Sequence, residues 1–276
     1  MTDQTESRKL PIGVFDSGVG GLTVLREIRR LLPGESTLYL GDTARVPYGT
    51  KSPQTVQRYG REVTRELLHR GIKLLVVGCN TASAVALGVL RTEFDVPLTG
   101  VIVPGARAAA KATKSGRVGV IGTSATVRSG AYVEAIKAAD RDIEVFGVAC
   151  PLFVGLVEEG WTDGEIAELA ARRYLEPLFE AKIDTLVLGC THYPLLAPTL
   201  EKVMGEGVRV IDSATATAEE VVHLLKETEL AATDTGSDSH HYLVTDSRER
   251  FLELAPRFLG RELAGKVEEV QLKTEN

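Results

Sequence analysis

Two corners of the chain read alike. The apolar run Leu74–Val77 ends in Gly78-Cys79 and continues with Asn80-Thr81, and Thr185–Leu188 ends in Gly189-Cys190 and continues with Thr191-His192. A cysteine is often only a small buried apolar group. These two are followed at once by hydrogen-bonding side chains. Each also stands where a strand is expected to give way to a helix, whose N-terminus favours thiolate and lowers a thiol pKa from ~8.5. The third cysteine, Cys150 in GVACPLF, is followed by Pro151 and reads as a buried bystander. Zinc sites want spacings such as C-x-x-C, or paired histidines three to five residues apart. Neither spacing occurs, and Cys190 with His192 is too sparse a set, so no metal is expected. A redox C-x-x-C is absent, and three cysteines in a chain of 276 residues make no disulfide framework.

One activated cysteine beside a histidine would suggest nucleophilic catalysis. Two thiols at equivalent corners of two related halves suggest something else. Facing each other across a cleft, one can take a proton from a carbon while the other gives one to the opposite face. Such a two-base transfer inverts the configuration of that carbon. A positioned acid or base contributes roughly 10²–10⁴-fold. The remainder must come from fixed dipoles around the developing carbanion. Asn80-Thr81, Thr191-His192 and the turn at Asp16-Ser17 are placed to supply them.

Other motifs are weaker. DSGVGGLTVL is a glycine-rich strand-to-helix turn, but a dinucleotide fingerprint starting at Gly18 needs glycine where Thr23 stands. A phosphate loop starting at Gly13 needs Lys-Ser/Thr where Val19-Gly20 stand. What remains is a set of backbone N–H groups able to hold an anion, a carboxylate included, with Asp16 and Ser17 at the strand's end. In GDTARVPYG, Pro47, Tyr48 and Gly49 form a turn from which Tyr48 could close over a ligand. Glu158 and Glu159 read as a helix end unless their loop faces the cleft. His192 could tune a thiol or donate to a carboxylate. The other four histidines fall on helical or loop stretches and read as solvated.

Short apolar runs alternate with amphipathic helical stretches along the chain. Strands are expected at IGVF, TLYLGD, KLLVVGC, RVGVIGT, EVFGVAC, DTLVLGC, RVIDSA and HYLVT. Their near-continuous apolar character fits strands buried on both faces of a parallel sheet. The segment from Ser52 reads as a helix with Ser52 as cap, Pro53 in the first turn and Gly71 at the stop. TASAVALGVLRTEF and VRSGAYVEAIKAAD each read as one helix, and VPLTGVIVPG as strand and loop before a helix from Ala106. IGVFDSGVGG is echoed by VGVIGTSATV, as the first Gly-Cys corner is by the second. Two related α/β halves follow from this, each a doubly wound, mostly parallel sheet. Residues 231–240 read as a polar loop. Net charge is −6 with no basic stripe, so nucleic acid is not the expected ligand. No apolar run approaches the ~20 residues of a membrane span. The polar start MTDQTESRKL has no signal-peptide core, and a cytoplasmic location is expected.

At these residues the chain resembles the bacterial glutamate racemases. FDSGVGGLTV, GDTARVPYG, GCNTASA, GTSATVRSGAY and GCTHYPLL look like that family's motif series, in order, from about Ile12 to Asp212. The resemblance implies two similar α/β domains facing across the active-site cleft. One domain is discontinuous, formed by residues 1–104 and 212–276 around a second domain of residues 105–211. It implies racemisation of glutamate without a cofactor, supplying D-glutamate for peptidoglycan, by a homodimer in the cytoplasm. Carried over by motif, Cys79 acts on the D-enantiomer and Cys190 on the L-enantiomer. Asp16, Ser17, Pro47, Tyr48, Gly49, Asn80, Thr81, Thr191 and His192 hold the substrate. Asp16 and His192 also tune the thiols, with Glu158 as an auxiliary.

Two other readings stay open at this point. An aspartate racemase or a related amino-acid racemase would use the same two-cysteine plan. A non-catalytic amino-acid-binding module would tolerate loss of either cysteine. A pyridoxal-phosphate racemase is disfavoured, because no lysine sits in an evident cofactor motif and both thiols would go unexplained.

Overall fold

The computed structural model of the protein describes residues 4–233 and 239–273. One sheet contains β1 (Ile12–Asp16), β2 (Thr37–Gly41), β3 (Leu74–Val77), β4 (Leu98–Gly100), β9 (His240–Val244) and β10 (Lys266–Glu269). The other contains β5 (Arg117–Gly122), β6 (Glu144–Ala149), β7 (Thr185–Gly189) and β8 (Arg209–Asp212). Their orders are β10-β9-β2-β1-β3-β4 and β6-β5-β7-β8. Every pairing is parallel. The expected α/β class holds.

Side chains alternate along each strand, and both sets find a core. Ile12 and Val14 of β1, with Leu74 and Val76 of β3, enter one core; Phe15, Leu75 and Val77 enter another. The first of these cores runs without a break into the second sheet through Val118, Val120, Leu186 and Leu188. The chain crosses between sheets by the helices Ile102–Ala112 and Ser213–Glu227, which pack on each other. Helix Ser213–Glu227 also covers Leu22–Leu31 of the first lobe, and Ile102–Ala112 covers Ala131–Ala139 of the second.

The internal echo has a structural counterpart. The order β2-β1-β3-β4 is repeated as β6-β5-β7-β8. The echoed glycine-rich stretches leave β1 and β5, and the two Gly-Cys corners leave β3 and β7. Register then sets what sits beside each thiol. Phe15 lies opposite Val77, and Gly122 opposite Gly189. Continuing the register, Ser17 emerges beside Cys79 and Thr123 beside Cys190.

The structure departs from expectation at several boundaries. TASAVALGVLRTEF is two helices, Asn80–Val85 and Leu87–Glu93, broken at Ala86. VRSGAYVEAIKAAD is also two, Ser124–Arg128 and Ala131–Ala139, because Gly130 adopts a left-handed φ of 72°. VIVPG belongs to a helix that starts at Ile102, with Pro104 in the first turn, where a missing N–H breaks no intrahelical bond. The helix Gln4–Lys9 and the short edge strand β10 are additional elements. β9 starts at His240, one residue earlier than the expected strand, and His240 Nδ1 is 3.0 Å from Thr37 Oγ1. Of the polar loop at 231–240, residues 234–238 lie outside the described residues, as do residues 1–3 of the N-terminal stretch.

A buried ion pair anchors the base of the first sheet. Lys73, with no exposed side-chain surface, lies 2.6 Å from Glu35 and donates to the Arg8 carbonyl at 2.7 Å. Glu35 also accepts from the Ala232 N–H at 2.8 Å. Lys73→Met strands a buried carboxylate and is expected to cost about 3–5 kcal/mol in urea unfolding. Adding Glu35→Leu to it is expected to recover most of that loss.

Candidate active site

The C-terminal edges of the two sheets meet at one cleft. It is lined by Ser17, Val46, Pro47, Tyr48, Gly49, Cys79, Asn80, Thr81, Thr123, Val154, Cys190, Thr191 and His192, around about 350 Å³ of space, mouth included. Ten of the twelve residues singled out from sequence are in that lining. The other two, Asp16 and Glu158, touch lining residues from behind.

Cys79 leaves β3 and caps the helix Asn80–Val85, its sulfur 3.5 Å from the Ala82 nitrogen. Its thiol donates to Ser17 Oγ at 3.7 Å. Burial, and after it the negative charge of Asp16, push this thiol up to about 12. The lowering expected from the helix N-terminus is therefore overturned here, since a six-residue helix cannot offset desolvation and a nearby carboxylate. Asp16 is fully buried. Burial raises its pKa, opposed by the charge of His192, the N–H groups of Gly18 and Gly21, and the Thr191 hydroxyl.

The Cys190 corner has a different surrounding. No α-helix begins there: a 3₁₀ turn at Tyr193–Leu196 follows, and the next α-helix starts at Ala197. Pro194 supplies no N–H and disfavours α geometry at the residue before it. The neighbour of Cys190 is instead a cation. His192 is buried, with Nε2 2.9 Å from Glu158 Oε1 and its ring edge-on to Phe258 at 5.1 Å. Burial lowers its pKa, but its interactions with Cys190 and Glu158 outweigh that and raise it to about 10. The same bond to His192 is the main influence holding the Glu158 carboxyl below its ordinary value. Arg257 and Arg250 donate to the Glu158 carbonyl at 3.0 and 3.4 Å, fixing the end of its helix. Glu159 points away, 3.4 Å from Arg250 at the surface.

Tyr48 is buried, and its phenol donates to Asp42. Asp42 also accepts from Arg45 at 2.7 Å and Thr245 at 2.9 Å. The ring is thus a fixed part of the wall.

Polar contacts cross the seam between lobes. Thr191 Oγ1 donates to Asp16 at 3.4 Å, and Tyr132 donates to Asn80 Oδ1 at 2.7 Å. Thr81 Oγ1 lies 2.9 Å from Thr123 Oγ1 and 3.2 Å from Thr126 Oγ1. The glycine-rich turn makes this approach possible. A Cβ on Gly20 would stand 2.3 Å from Thr191 Oγ1, and one on Gly49 2.7 Å from Thr123 Cβ. These glycines bring the lobes together, which is not what a nucleotide loop does.

Sequence reasoning missed Thr123, Val46 and Val154. The signal for Thr123 was present: in the echo of IGVFDS by VGVIGT, Thr123 stands where Ser17 does. Val46 and Val154 carry no chemical signal, and only folding places them. Among the described residues, no group of three or more His, Cys, Asp or Glu is arranged to hold a metal ion. No helix among them is long and apolar enough to cross a membrane.

Two parallel α/β lobes with their polar residues at facing strand ends fit the class of two-lobed α/β isomerases. A family model described as Asp/Glu/Hydantoin racemase matches residues 12–221. The chain belongs to that family. It is 57% identical over 264 residues to a glutamate racemase of Geobacter metallireducens, covering 96% of this chain and 97% of that one. Its structure resembles a glutamate racemase isoform of Bacillus anthracis, with a TM-score of 0.92, 42% identity and coverage of 97% and 100%. It also resembles the Francisella tularensis glutamate racemase solved with D-glutamate, with a TM-score of 0.89, 36% identity and coverage of 96% and 98%.

A pH dependence follows from His192. Its folded pKa, about 10, lies above the ordinary value of 6.5. The stability it contributes is therefore fully present below pH 6.5 and is lost as pH rises from there through about 10. Urea unfolding across that range should show this loss in the native protein and a flatter profile in His192→Asn.

Proposed function

We propose that the protein interconverts L- and D-glutamate without a cofactor, by moving the α-proton between Cys79 and Cys190. The observation that carries this reading is that each lobe contributes one thiol to a single cleft. The glutamate racemases it resembles, one of them solved with D-glutamate, support the substrate.

In the L-to-D direction the Cys190 thiolate, beside the His192 imidazolium, removes the Cα proton. The electron pair left on Cα spreads into the adjacent carboxylate. The Cys79 thiol then delivers its proton to the opposite face. A new Cα–H bond replaces the old one with inverted configuration, and the two sulfurs have exchanged protonation states. Reversal uses Cys79 as base. Asn80, Thr81 and Thr123 hold the carboxylate beside the reacting carbon. Ser17, Pro47, Tyr48, Gly49 and Thr191 hold the rest of the substrate. Asp16 and His192, with Glu158 behind it, set the charges around the two sulfurs. Within this reading the lobes are residues 1–104 with 212–276, and residues 105–211. The enzyme acts as a cytoplasmic homodimer whose product, D-glutamate, enters peptidoglycan.

The test is incubation of exhaustively dialysed protein with L-glutamate in deuterated water. Loss of the circular dichroism signal and deuterium at Cα are expected with nothing added. Cys79→Ala and Cys190→Ala should each lower turnover by about 10²–10⁴-fold or more, and Cys150→Ala should leave it nearly unchanged. Activity that survives Cys79→Ala, or that depends on added pyridoxal phosphate, overturns the two-thiol mechanism.

A further inference from the structure

Tyr132 stands on the second-lobe helix Ala131–Ala139 and is 3% exposed, yet its hydroxyl reaches across the seam to Asn80 Oδ1. Asn80 is also 3% exposed and forms part of the cleft wall. Its Nδ2 is buried without a hydrogen-bond partner. Carboxamide O and NH₂ have nearly the same shape, so only the hydrogen-bond network selects between the two orientations. The orientation matters, because NH₂ attracts a carboxylate and the carbonyl oxygen repels one.

The surroundings of Tyr132 make that choice. The Ser213 side chain lies close to the phenol. Gly105 leaves room for this contact, since a Cβ there would stand 2.9 Å from Ser213 Cβ and 3.5 Å from the Tyr132 hydroxyl. The phenol's single proton goes to Asn80 Oδ1, 2.7 Å away. The amide must present Oδ1 to Tyr132 and Nδ2 to the cleft. Asn80 directly follows Cys79, so the carboxylate it meets is the one attached to the reacting carbon.

We propose that Tyr132 is a positioning residue that locks the Asn80 amide with its NH₂ toward the substrate's α-carboxylate, transmitting the placement of the second lobe into the first. This rests on the proposed glutamate racemisation at the Cys79–Cys190 cleft. The lock acts on a contact made in both the ground state and the transition state, so its loss raises KM more than it lowers kcat.

Tyr132→Phe keeps the ring and removes only the hydroxyl. It should raise KM for both enantiomers roughly 3- to 10-fold, the range of one neutral hydrogen bond, with kcat within about 2-fold by the same argument. Asn80→Ala should raise KM further, and adding Tyr132→Phe to Asn80→Ala should cause no additional loss. The α-carboxamide of glutamate should inhibit Tyr132→Phe relatively better than the native enzyme, since a freed amide can turn its oxygen toward it. Unchanged KM in Tyr132→Phe with a native melting curve overturns the proposal, as does an additive loss in the double variant. Failure of the two-thiol reading would appear separately, as turnover retained by Cys79→Ala.

Discussion

A carboxylate with no exposed surface, Asp16, sits under the floor of the cleft, and much of the surrounding architecture answers to it. A buried charge is tolerated only when hydrogen bonds and opposite charge replace the water it has lost. Asp16 takes an N–H from Gly18 at 3.0 Å and a hydroxyl from Thr191 at 3.4 Å, and the nearby Gly21 N–H and the field of His192 also favour its charged form. Two of these come from the glycine-rich turn after β1 and two from the opposite lobe. The turn must curl back over its own carboxylate, and a Cβ on Gly21 would lie 2.5 Å from Asp16 Cβ. The second lobe must also come close, which requires Gly20 to be bare. The glycines, the seam and the buried acid are therefore one constraint expressed three times.

That constraint breaks the likeness of the two halves. Strand order and register repeat, placing a hydroxyl residue beside each thiol: Ser17 beside Cys79 and Thr123 beside Cys190. Charge does not repeat. At Asp16 the first half carries a carboxylate, and the corresponding place in β5 is Gly122, with no charge. The second half carries an imidazolium at His192, where the first has the neutral Thr81. The cleft is symmetric in geometry and polarised in field, with a negative group by Cys79 and a positive one by Cys190.

Most of the fold was legible because its signals are local. Apolar runs buried on both faces marked β1, β3, β5 and β7, and Ser52-Pro53 marked a helix start that the structure shows, with Ser52 accepting from Thr55 N. The polar edge strand β10 was not legible, since four residues with one buried apolar side chain carry no periodic signal. Breaks at Ala86 and Gly130 were missed because propensity favours continuing through alanine, and a lone glycine is tolerated inside many helices. At the cleft, residue types announced the thiols and their polar neighbours. Their electrostatics were not legible. The helix end beside Cys79 pointed toward a lowered pKa, and only the fold reveals that burial and Asp16 reverse the sign.

The raised pKa of Cys79 suits the proposed reaction better than a lowered one would. A thiol held near 12 keeps its proton until a carbanion forms beside it, and a carbanion at Cα is basic enough to take it. Once that proton has gone, the resulting thiolate is buried next to a carboxylate, so it is a stronger base than an ordinary thiolate. That is the property needed to attack the weakly acidic Cα–H of the D-enantiomer. The burial that makes this thiolate rare is the same burial that makes it effective. Enantiomers have equal free energies, so kcat/KM is the same in both directions however unequal the two sulfurs are. The polarity of the cleft can therefore show only in the separate values of kcat and KM and in which sulfur holds the proton between turnovers. In the proposed reaction, burial and Asp16 hold a proton on Cys79, which suits it to act as the acid toward the L-enantiomer.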